Sequence, residues 1–299
     1  MIDDIKPGKY VVAVSGGVDS VVLLDLLSKQ EGLDLIVAHF DHGIRPESSE
    51  DKDFVAILSQ KYNLPFVFEN GNLGANASEA KAREARYSFL QQVRKKYSAK
   101  AIITAHHYDD MIETAAFNLL RGTSRKGMIS LKSSVTIIRP LLEYKKKDII
   151  TYAEKYKLEW REDSTNSETI YTRNWIRQKL LPKLTSDQYK ELKNAHAEIS
   201  KIDQQLTAAV KNQLKLLSDS PDILQRQKFV ALPHVVATEI MAAWLRENDY
   251  TDFDKKSITR LVVGSKTLPA GKEIKVSKNI TLYLNQKTIE LKKNTSIKN

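Results

Sequence analysis

The first candidate site is a short run of glycines and hydroxyl side chains near the amino terminus. The run reads Ser15-Gly16-Gly17-Val18-Asp19-Ser20. It stands between an apolar strand pattern and an apolar helix pattern, where two glycines allow a sharp turn and a helix start favours negative charge. Serine hydroxyls add donors, and the Asp19 carboxylate suits Mg²⁺. The Walker A lysine is missing, so the run predicts phosphate binding of another kind; an ordinary strand-to-helix turn is the alternative.

Histidine and acidic side chains form a second candidate site on a helix predicted to begin near Asp109. Asp110 follows His106 by four residues and Glu113 follows Asp110 by three. These spacings place the two carboxylates on one helix face, pointing at the edge of the sheet. One alternative is that acids gather at helix starts because the macrodipole favours them. Another is a zinc site of His106, His107 and Asp110, although the H-E-x-x-H spacing is absent.

Arginines at helical spacing provide candidate contacts to anions. Arg83 and Arg86 are three apart, Arg173 and Arg177 are four apart, and Arg121 ends the fourth predicted helix. Guanidinium groups suit bidentate contact with the oxygens of a triphosphate or of RNA phosphates. The alternative is ordinary surface charge paired along a helix, which is the more common outcome.

The elements that position these residues alternate up to about residue 186. Strands are predicted over 10–14, 34–40, 65–69, 101–105 and 135–138, and helices over 18–30, 49–62, 77–97 and 109–120. This alternation predicts an α/β fold with a parallel sheet covered by helices on both faces. Ligands of such sheets bind beyond the carboxyl ends of the strands. Three polar clusters, at 15–17, 41–43 and 106–107, are therefore expected to meet at one edge.

The pattern changes after residue 186. Helical periodicity over 187–217 and 235–247 is followed, from Leu261 onward, by short β-like pieces that end in 280–284 and 289–291. We therefore predict two domains. Residues 1–186 form the catalytic domain, and residues 187–299 form a smaller, mostly helical domain with a terminal β-hairpin and no cluster typical of catalysis.

Composition narrows the class of protein. Lys and Arg exceed Asp and Glu by 47 − 37 = 10 among 299 residues, which suggests a polyanionic partner or, with equal weight, a basic solvated surface. The lack of cysteine excludes disulfides, Cys-ligated metal clusters and a thiolate or persulfide intermediate on this chain. No apolar run reaches the length of a membrane span, and no secretory signal pattern is present. We therefore expect a cytoplasmic protein without a membrane partner.

The run at 15–20, the phosphate loop, resembles the loop of the N-type ATP pyrophosphatases, the PP-loop superfamily. Further motifs are similar to those of tRNA(Ile)-lysidine synthases. These motifs are DHGIRPES at 41–48, EAKAREARY at 79–87, AHHYDDMIET at 105–114, LRGT at 120–123, RPLL at 139–142, EDSTN at 162–166 and RNWIR at 173–177. They follow the family's order over most of residues 9–184, so the joint match is specific. One departure is Met111, where the family pattern usually has glutamine.

The resemblance implies an adenine-nucleotide alpha hydrolase-like fold and an ATP-dependent ligase that uses Mg²⁺. Its RNA substrate would be the isoleucine tRNA with anticodon CAU, and its second substrate L-lysine. The O2 atom of the wobble cytidine, position 34, would attack the α-phosphorus of ATP and release pyrophosphate. The lysine side-chain amine would then displace AMP at C2. The product, lysidine, changes codon reading from AUG to AUA.

The resemblance also implies roles for individual residues. ATP binding falls on the phosphate loop, namely Ser15, Gly16, Gly17, Val18, Asp19 and Ser20. Lysine binding falls on Asp110 and Glu113, whose carboxylates suit a doubly cationic amino acid. The attacking amine must lose a proton, since its ordinary pKa is about 10.4. Asp41 and His106 are the candidates for acid–base chemistry, and Asp19 and Asp41 for Mg²⁺. Contacts to tRNA or triphosphate fall on Arg83, Arg86, Arg121, Arg173 and Arg177, with Asn166 and Asn174 as residues that hold the loop near them.

Two rival functions are compatible with the phosphate loop alone. A tRNA modifier that inserts sulfur from an external carrier is the first, and the lack of cysteine argues against it. A non-catalytic nucleotide-sensing or RNA-binding protein is the second, and the intact set of Asp19, Asp41, Asp110 and Glu113 argues against that.

Overall fold

The structure is a computed structural model that describes residues 2–3, 5–43, 48–74, 77–123, 125–161, 171–251, 253–277 and 279–293. The chain divides into two compact units, residues 1–197 and 198–299. Within the described residues, no helix is long and apolar enough to cross a membrane.

The first unit is built on a five-stranded sheet in the order β3-β2-β1-β4-β5. The strands are β1 Gly8–Ala13, β2 Leu33–Asp41, β3 Phe66–Asn70, β4 Ala101–Ile103 and β5 Ile137–Ile138. Every neighbouring pair is parallel, which confirms the predicted sheet. The strand order reverses at β1, and a crevice for ligands opens where such a reversal occurs. The residues after β1 and β4 therefore face the expected site.

Helices cover both faces of this sheet. The helices of the first unit are α1 Val18–Ser28, α2 Ser48–Lys61, α3 Glu79–Lys96, α4 Tyr108–Leu120, α5 Arg125–Met128, α6 Lys146–Lys155 and α7 Tyr171–Trp175. Of these, α1, α2 and α6 lie on one face and α3 lies on the other. Alternate residues of β1 point to opposite faces. Val12 lies in a core with α1, α2 and α6, and Val11 lies in a second core with α3. Nearly all of α1 is buried, which explains why its sequence is apolar all round rather than amphipathic.

A buried carboxylate ties α6 to α1. Asp25 on α1 accepts hydrogen bonds from the hydroxyls of Tyr152 at 2.8 Å and Tyr62 at 2.9 Å, and from the ammonium of Lys29 at 2.7 Å. A buried carboxylate is stable only when its oxygens are satisfied in this way. The network fixes α6, whose first residue contributes to the site described below.

The second unit contains the end of the long helix α8 Ser186–Leu217, three further helices and an antiparallel sheet. The helices are α9 Arg226–Ala231, α10 His234–Glu247 and α11 Lys255–Thr267, and the sheet order is β6-β7-β10-β9-β8. Its strands are β6 Ser218–Ser220, β7 Ile223–Gln225, β8 Lys272–Lys275, β9 Ile280–Leu284 and β10 Thr288–Lys293. The sequence predicted only the last two as a hairpin, and they do pair antiparallel.

The prediction of β-like structure from Leu261 onward is wrong for its first seven residues, which complete α11. Ile258, Leu261, Val262 and Ser265 are the buried residues of this helix. They recur at i, i+3, i+4 and i+7, so one face of a helix meets the core. Two valines in succession favour a strand locally, but burial of this face decides in favour of the helix.

Candidate active site

The phosphate loop joins the end of β1 to the start of α1. Gly16 has φ +96°, a conformation that L side chains rarely adopt, and Gly17 is the residue that precedes the helix. The Ser20 hydroxyl donates to the Gly17 carbonyl at 2.8 Å and accepts from the amides of Ser15 and Gly16, both at 3.2 Å. The first hydrogen bonds of α1 run from the amides of Ser20 and Val21 to the Gly17 carbonyl, at 3.0 and 3.1 Å, so the amides of Val18 and Asp19 precede the hydrogen-bonded part of the helix. The loop is thus stabilised by the hydrogen bonds of Ser20, and the start of α1 is suited to bind an anion.

Asp19, in the first turn of α1, forms an ion pair with the first residue of α6. Both carboxylate oxygens lie 2.7 Å from the Nζ atom of Lys146. The Lys146 amide also donates to Asp109 at 2.7 Å, and Asp109 belongs to the start of α4. Three separate elements therefore meet at the phosphate loop. Lys146 escaped the sequence analysis because 127 residues separate it from Asp19.

His107 lies between the phosphate loop and the acidic helix. Its Nε2 atom is 3.8 Å from Asp19 and 3.5 Å from Asp110, and the side chain is buried. Its backbone amide donates to Asp110 at 3.0 Å, and its Nδ1 atom has no hydrogen-bond partner among the described residues. From the sequence, His107 was expected in the polar cluster at 106–107 and as part of a possible zinc site, without any other role. The described part of the chain contains no group of three His, Cys, Asp or Glu that could hold a metal ion.

The neighbouring His106 is a neutral imidazole surrounded by arginines. Its Nδ1 atom is 2.9 Å from the hydroxyl of Thr104. Burial, followed by the charges of Arg86, Arg139 and Arg83, lowers the pKa of His106 to about 2. At neutral pH the ring can exchange hydrogen bonds with a substrate, but it does not store a proton. Its role in acid–base chemistry stays a prediction, and this low pKa disfavours it.

The arginines near His106 form a cluster around Tyr87 on α3. The guanidinium carbons of Arg83 and Arg86 lie 4.8 and 5.5 Å from the centre of the Tyr87 ring, and Arg139 Nη2 lies 3.4 Å from its hydroxyl. Arg86 has a buried Nε atom without a partner among the described residues, and burial lowers its pKa. Arg83 is exposed. A cluster of like charges at the sheet edge fits an anionic ligand better than ordinary helix-surface pairing.

Acidification is expected to destabilise the first unit through His106. The unfolded chain binds a proton near pH 6.5, whereas the folded ring stays neutral until about pH 2. The stability that His106 contributes is therefore complete above pH 6.5 and is lost as the pH falls, by about 2 kcal/mol at pH 5. Urea unfolding of the native chain and of His106→Asn at pH 7 and pH 5 measures this. Equal losses of stability in the two proteins would show that folded His106 titrates normally.

Asp110 and Glu113 on α4 share a cluster with arginines of the carboxyl-terminal part of the unit. Arg177, within the π-helical turn Ile176–Leu180, donates to Glu113 at 3.0 Å through Nε and lies 2.8 Å from it through Nη2. The same Nη2 is 3.9 Å from Asp110, and Arg173 Nε is 4.0 Å from Glu113. Burial raises the pKa of Glu113, and Arg177 opposes this shift. The cluster offers both charge signs, as an amino-acid ligand requires.

The preference of acids for helix starts explains in part why an acid stands at position 110, but it does not explain Glu113. Asp110 accepts from the amide that precedes α4, as an acid in a first helical turn does. Glu113 lies beyond that turn and is only 5% exposed, so the macrodipole does not explain it. Met111, the departure from the family pattern, is buried in an apolar cluster with Ile112 and Ile176. Its thioether fills a core position, where no polar contact is needed.

Asp41 ends β2 at the same edge of the sheet and is buried. Its Oδ1 accepts from the Gly43 amide at 2.7 Å, which shapes the turn after the strand. Arg121 follows α4 and is exposed, with its guanidinium 5.3 Å from the Phe117 ring. Of the motifs in the sequence analysis, residues 44–47 and the EDSTN segment at 162–166, with Asn166, lie outside the described residues.

Arg161 connects the phosphate loop to the start of α2 and was not singled out by the sequence. Its amide donates to the Gly16 carbonyl at 3.0 Å. Its side chain binds Asp51 at 2.6 Å and Glu50 at 2.7 Å. This residue therefore positions the loop backbone and precedes the EDSTN motif directly. Only its place beside that motif was a signal in the sequence.

Comparison with known families agrees with this geometry. A family model described as a PP-loop domain matches residues 1–184. The chain belongs to this PP-loop family. The predicted membership of that superfamily is therefore confirmed. The glycine turn at Ser15–Ser20, which resembles the loop of that superfamily, is referred to as the PP-loop.

Similar proteins indicate a subgroup within the PP-loop family. A tRNA(Ile)-lysidine synthase of Thermus thermophilus is 39% identical over 196 residues, which cover 64% of this chain and 38% of that protein. Another, from Lactiplantibacillus plantarum, is 32% identical over 295 residues, or 94% of this chain and 66% of that protein. These relatives confirm the resemblance inferred from the motifs. The chain spans less than two thirds of the length of each.

Among solved structures, the fold is similar to the U34-tRNA thiolase NcsA from Methanococcus maripaludis, which was solved with its [4Fe-4S] cluster. The TM-score is 0.56 at 16% identity, over 66% of this chain and 73% of that one. At this identity the likeness concerns the fold alone. None of the 299 residues of this PP-loop chain is a cysteine that could ligate such a cluster.

Proposed function

We propose that this PP-loop protein ligates L-lysine to C2 of the wobble cytidine in the CAU-anticodon isoleucine tRNA, with conversion of ATP to AMP and pyrophosphate. One observation carries the proposal: Asp19 of the PP-loop and Asp110 of the acidic cluster both lie within 4 Å of the Nε2 atom of His107. A site for a triphosphate is thereby next to a site for a small ligand that carries both charges. The names of the curated relatives supply the RNA and the reaction class.

The chemistry needs an activated oxygen, because the C2 carbonyl of cytosine is a weak electrophile with a poor leaving group. Attack of O2 on the α-phosphorus forms an O-adenylate and breaks the bond to pyrophosphate. The PP-loop amides and the α1 dipole stabilise the charge of the departing pyrophosphate. The lysine ε-amine then forms the C–N bond at C2, and AMP departs with the oxygen.

The acidic cluster is proposed to hold the substrate lysine. Asp110 and Glu113 would bind its α-ammonium, while Arg177 would bind its α-carboxylate in a bidentate fork. The ε-amine must lose a proton before it attacks. Asp41 is the proposed acceptor, because it is a buried carboxylate at the same edge and His106 is too weak a base.

Mg²⁺ is commonly held by one or two carboxylates together with substrate phosphates, and the Asp19 carboxylate in the first turn of α1 would offer such a ligand beside the loop. Asp19 and Asp41 are the carboxylates that would hold it, and it would shield the charge of the triphosphate. Arg83, Arg86, Arg121 and Arg173 are proposed contacts to RNA or nucleotide phosphates. Residues 1–186 and 187–299 are proposed as the catalytic and the tRNA-contacting domains, in a cytoplasmic protein.

Incubation with ATP, Mg²⁺, labelled lysine and transcripts of the isoleucine tRNA tests the proposal. Label should enter RNA only when position 34 is cytidine, with one AMP and one pyrophosphate released for each lysine. The mass of the modified nucleoside separates lysine addition from replacement of oxygen by sulfur. A chain that binds ATP and tRNA but releases no pyrophosphate would instead be a sensor or binding protein.

A further inference from the structure

Lys146 is the candidate for a further residue of the nucleotide site. It is the first residue of α6, and its side chain is 40% exposed while it holds both oxygens of Asp19. The ammonium is therefore at the PP-loop and open to an incoming ligand. The loop itself contains no lysine, although a lysine is the usual cation of the Walker A loop.

The position of Lys146 is fixed by contacts on both sides. Its amide donates to Asp109 at 2.7 Å, which anchors the start of α6 to the start of α4. Farther along α6, Tyr152 donates to the buried Asp25 of α1 at 2.8 Å. Because α6 is held to both helices, only the flexible side chain of Lys146 is free to change partners.

Electrostatics explains why the pair should exchange partners. Asp19 places a carboxylate at a helix start that is shaped to receive an anion, and a triphosphate would meet repulsion there. Lys146 neutralises this carboxylate. Mg²⁺ bound with the nucleotide would give Asp19 a divalent partner, and the Lys146 ammonium would then be available to a phosphate oxygen.

We propose that Lys146 is a nucleotide-binding residue that pairs with Asp19 in the absence of ligand and binds a phosphate oxygen of the triphosphate in its presence. This proposal rests on the proposed use of ATP. Lys146 on α6, distant in the sequence, would then supply the cation that the PP-loop lacks.

Calorimetric titration of ATP with Mg²⁺, without tRNA, tests the proposal on the full chain. Lys146→Met should weaken ATP binding at least about 10-fold, the effect of losing one charge-assisted hydrogen bond. Lys146→Arg should restore the affinity to within about 3-fold, because the charge is kept. Lys147→Met, an exposed neighbour on the same helix, is the matched control and should bind as the native chain does.

Adenosine is the second probe, because it contains the nucleoside without phosphates. Lys146→Met should bind adenosine as the native chain does. Equal losses for ATP and adenosine would indicate a distorted loop and overturn the proposal, as would native affinity for ATP. Thermal unfolding of each variant checks that it is folded.

Binding of tRNA distinguishes this proposal from a role of Lys146 in RNA recognition. A gel shift with tRNA alone should be unchanged in Lys146→Met. Loss of tRNA binding with native ATP binding would assign the lysine to RNA and overturn the proposal. If the native chain binds no ATP, the proposed function itself is wrong.

Discussion

Replacement of Asp41 by Asn is expected to lower the rate of lysidine formation at least about 100-fold, the scale of general base catalysis by one group. Asparagine keeps the carbonyl oxygen that accepts from the Gly43 amide, so the turn after β2 should persist. The amide cannot take a proton from the lysine amine. Single-turnover assays with saturating ATP, lysine and tRNA measure the loss.

Asp34→Asn is the control for this substitution. Asp34 lies on the same strand, but it is exposed and pairs with Lys9 at 3.2 Å near the opposite end of β2. The Asp34→Asn protein should modify tRNA at the native rate. A folded Asp41→Asn protein with native turnover would remove Asp41 from the mechanism. A loss confined to ATP affinity would assign Asp41 to the Mg²⁺-nucleotide site instead of the proton transfer.

Replacement of Glu113 by Gln is expected to raise the KM for lysine about 100-fold while the affinity for ATP stays within about 3-fold. Glu113 is buried and makes two contacts of 3.0 and 2.8 Å with Arg177. Glutamine removes the charge that would bind the α-ammonium and leaves Arg177 without its main counter-ion. A charge-assisted hydrogen bond contributes about 1.5–3 kcal/mol, and each 1.4 kcal/mol is a factor of ten in affinity.

The proposed lysine site can be tested further with a second ligand. Cadaverine, which is lysine without its carboxylate, should be bound equally by the native chain and by Arg177→Met if Arg177 holds only the carboxylate. Glu154→Gln removes an exposed acid from α6 and should leave the KM for lysine unchanged. A native KM in Glu113→Gln would place the substrate lysine elsewhere. A large fall in thermal stability would instead show that Glu113 acts mainly by holding Arg177.

The pairing of Arg177 with Glu113 changes the roles predicted for these residues. From the sequence, the acidic pair on α4 was assigned to a lysine site, and Arg173 and Arg177, on a distant segment, were assigned to a tRNA surface. In the structure they form one cluster. An arginine that is already bound to a buried acid is better placed to complete an amino-acid site than to grip RNA from the surface. The assignment of Arg173 and Arg177 to tRNA stays a prediction.

The sequence by itself determined the parallel sheet, the order of its helices and the location of the PP-loop. Each of these depends on local pattern: apolar runs of strand length, helical periodicity, and two glycines between β1 and α1. The convergence of 15–17, 41–43 and 106–107 at one edge followed, because parallel strands bring their carboxyl ends together. For the same reason Asp41 and the acids of α4 could be named as candidates before any contact was known.

Tertiary structure alone decided which charges meet and in which state. The pairs of Lys146 with Asp19 and of Arg161 with Asp51 join residues more than 100 positions apart, and no periodicity encodes such contacts. The neutrality of His106 arises from burial beside arginines of α3 and of the segment after β5. Charge interactions and desolvation depend on distances in space, whereas a sequence pattern reports only distances along the chain.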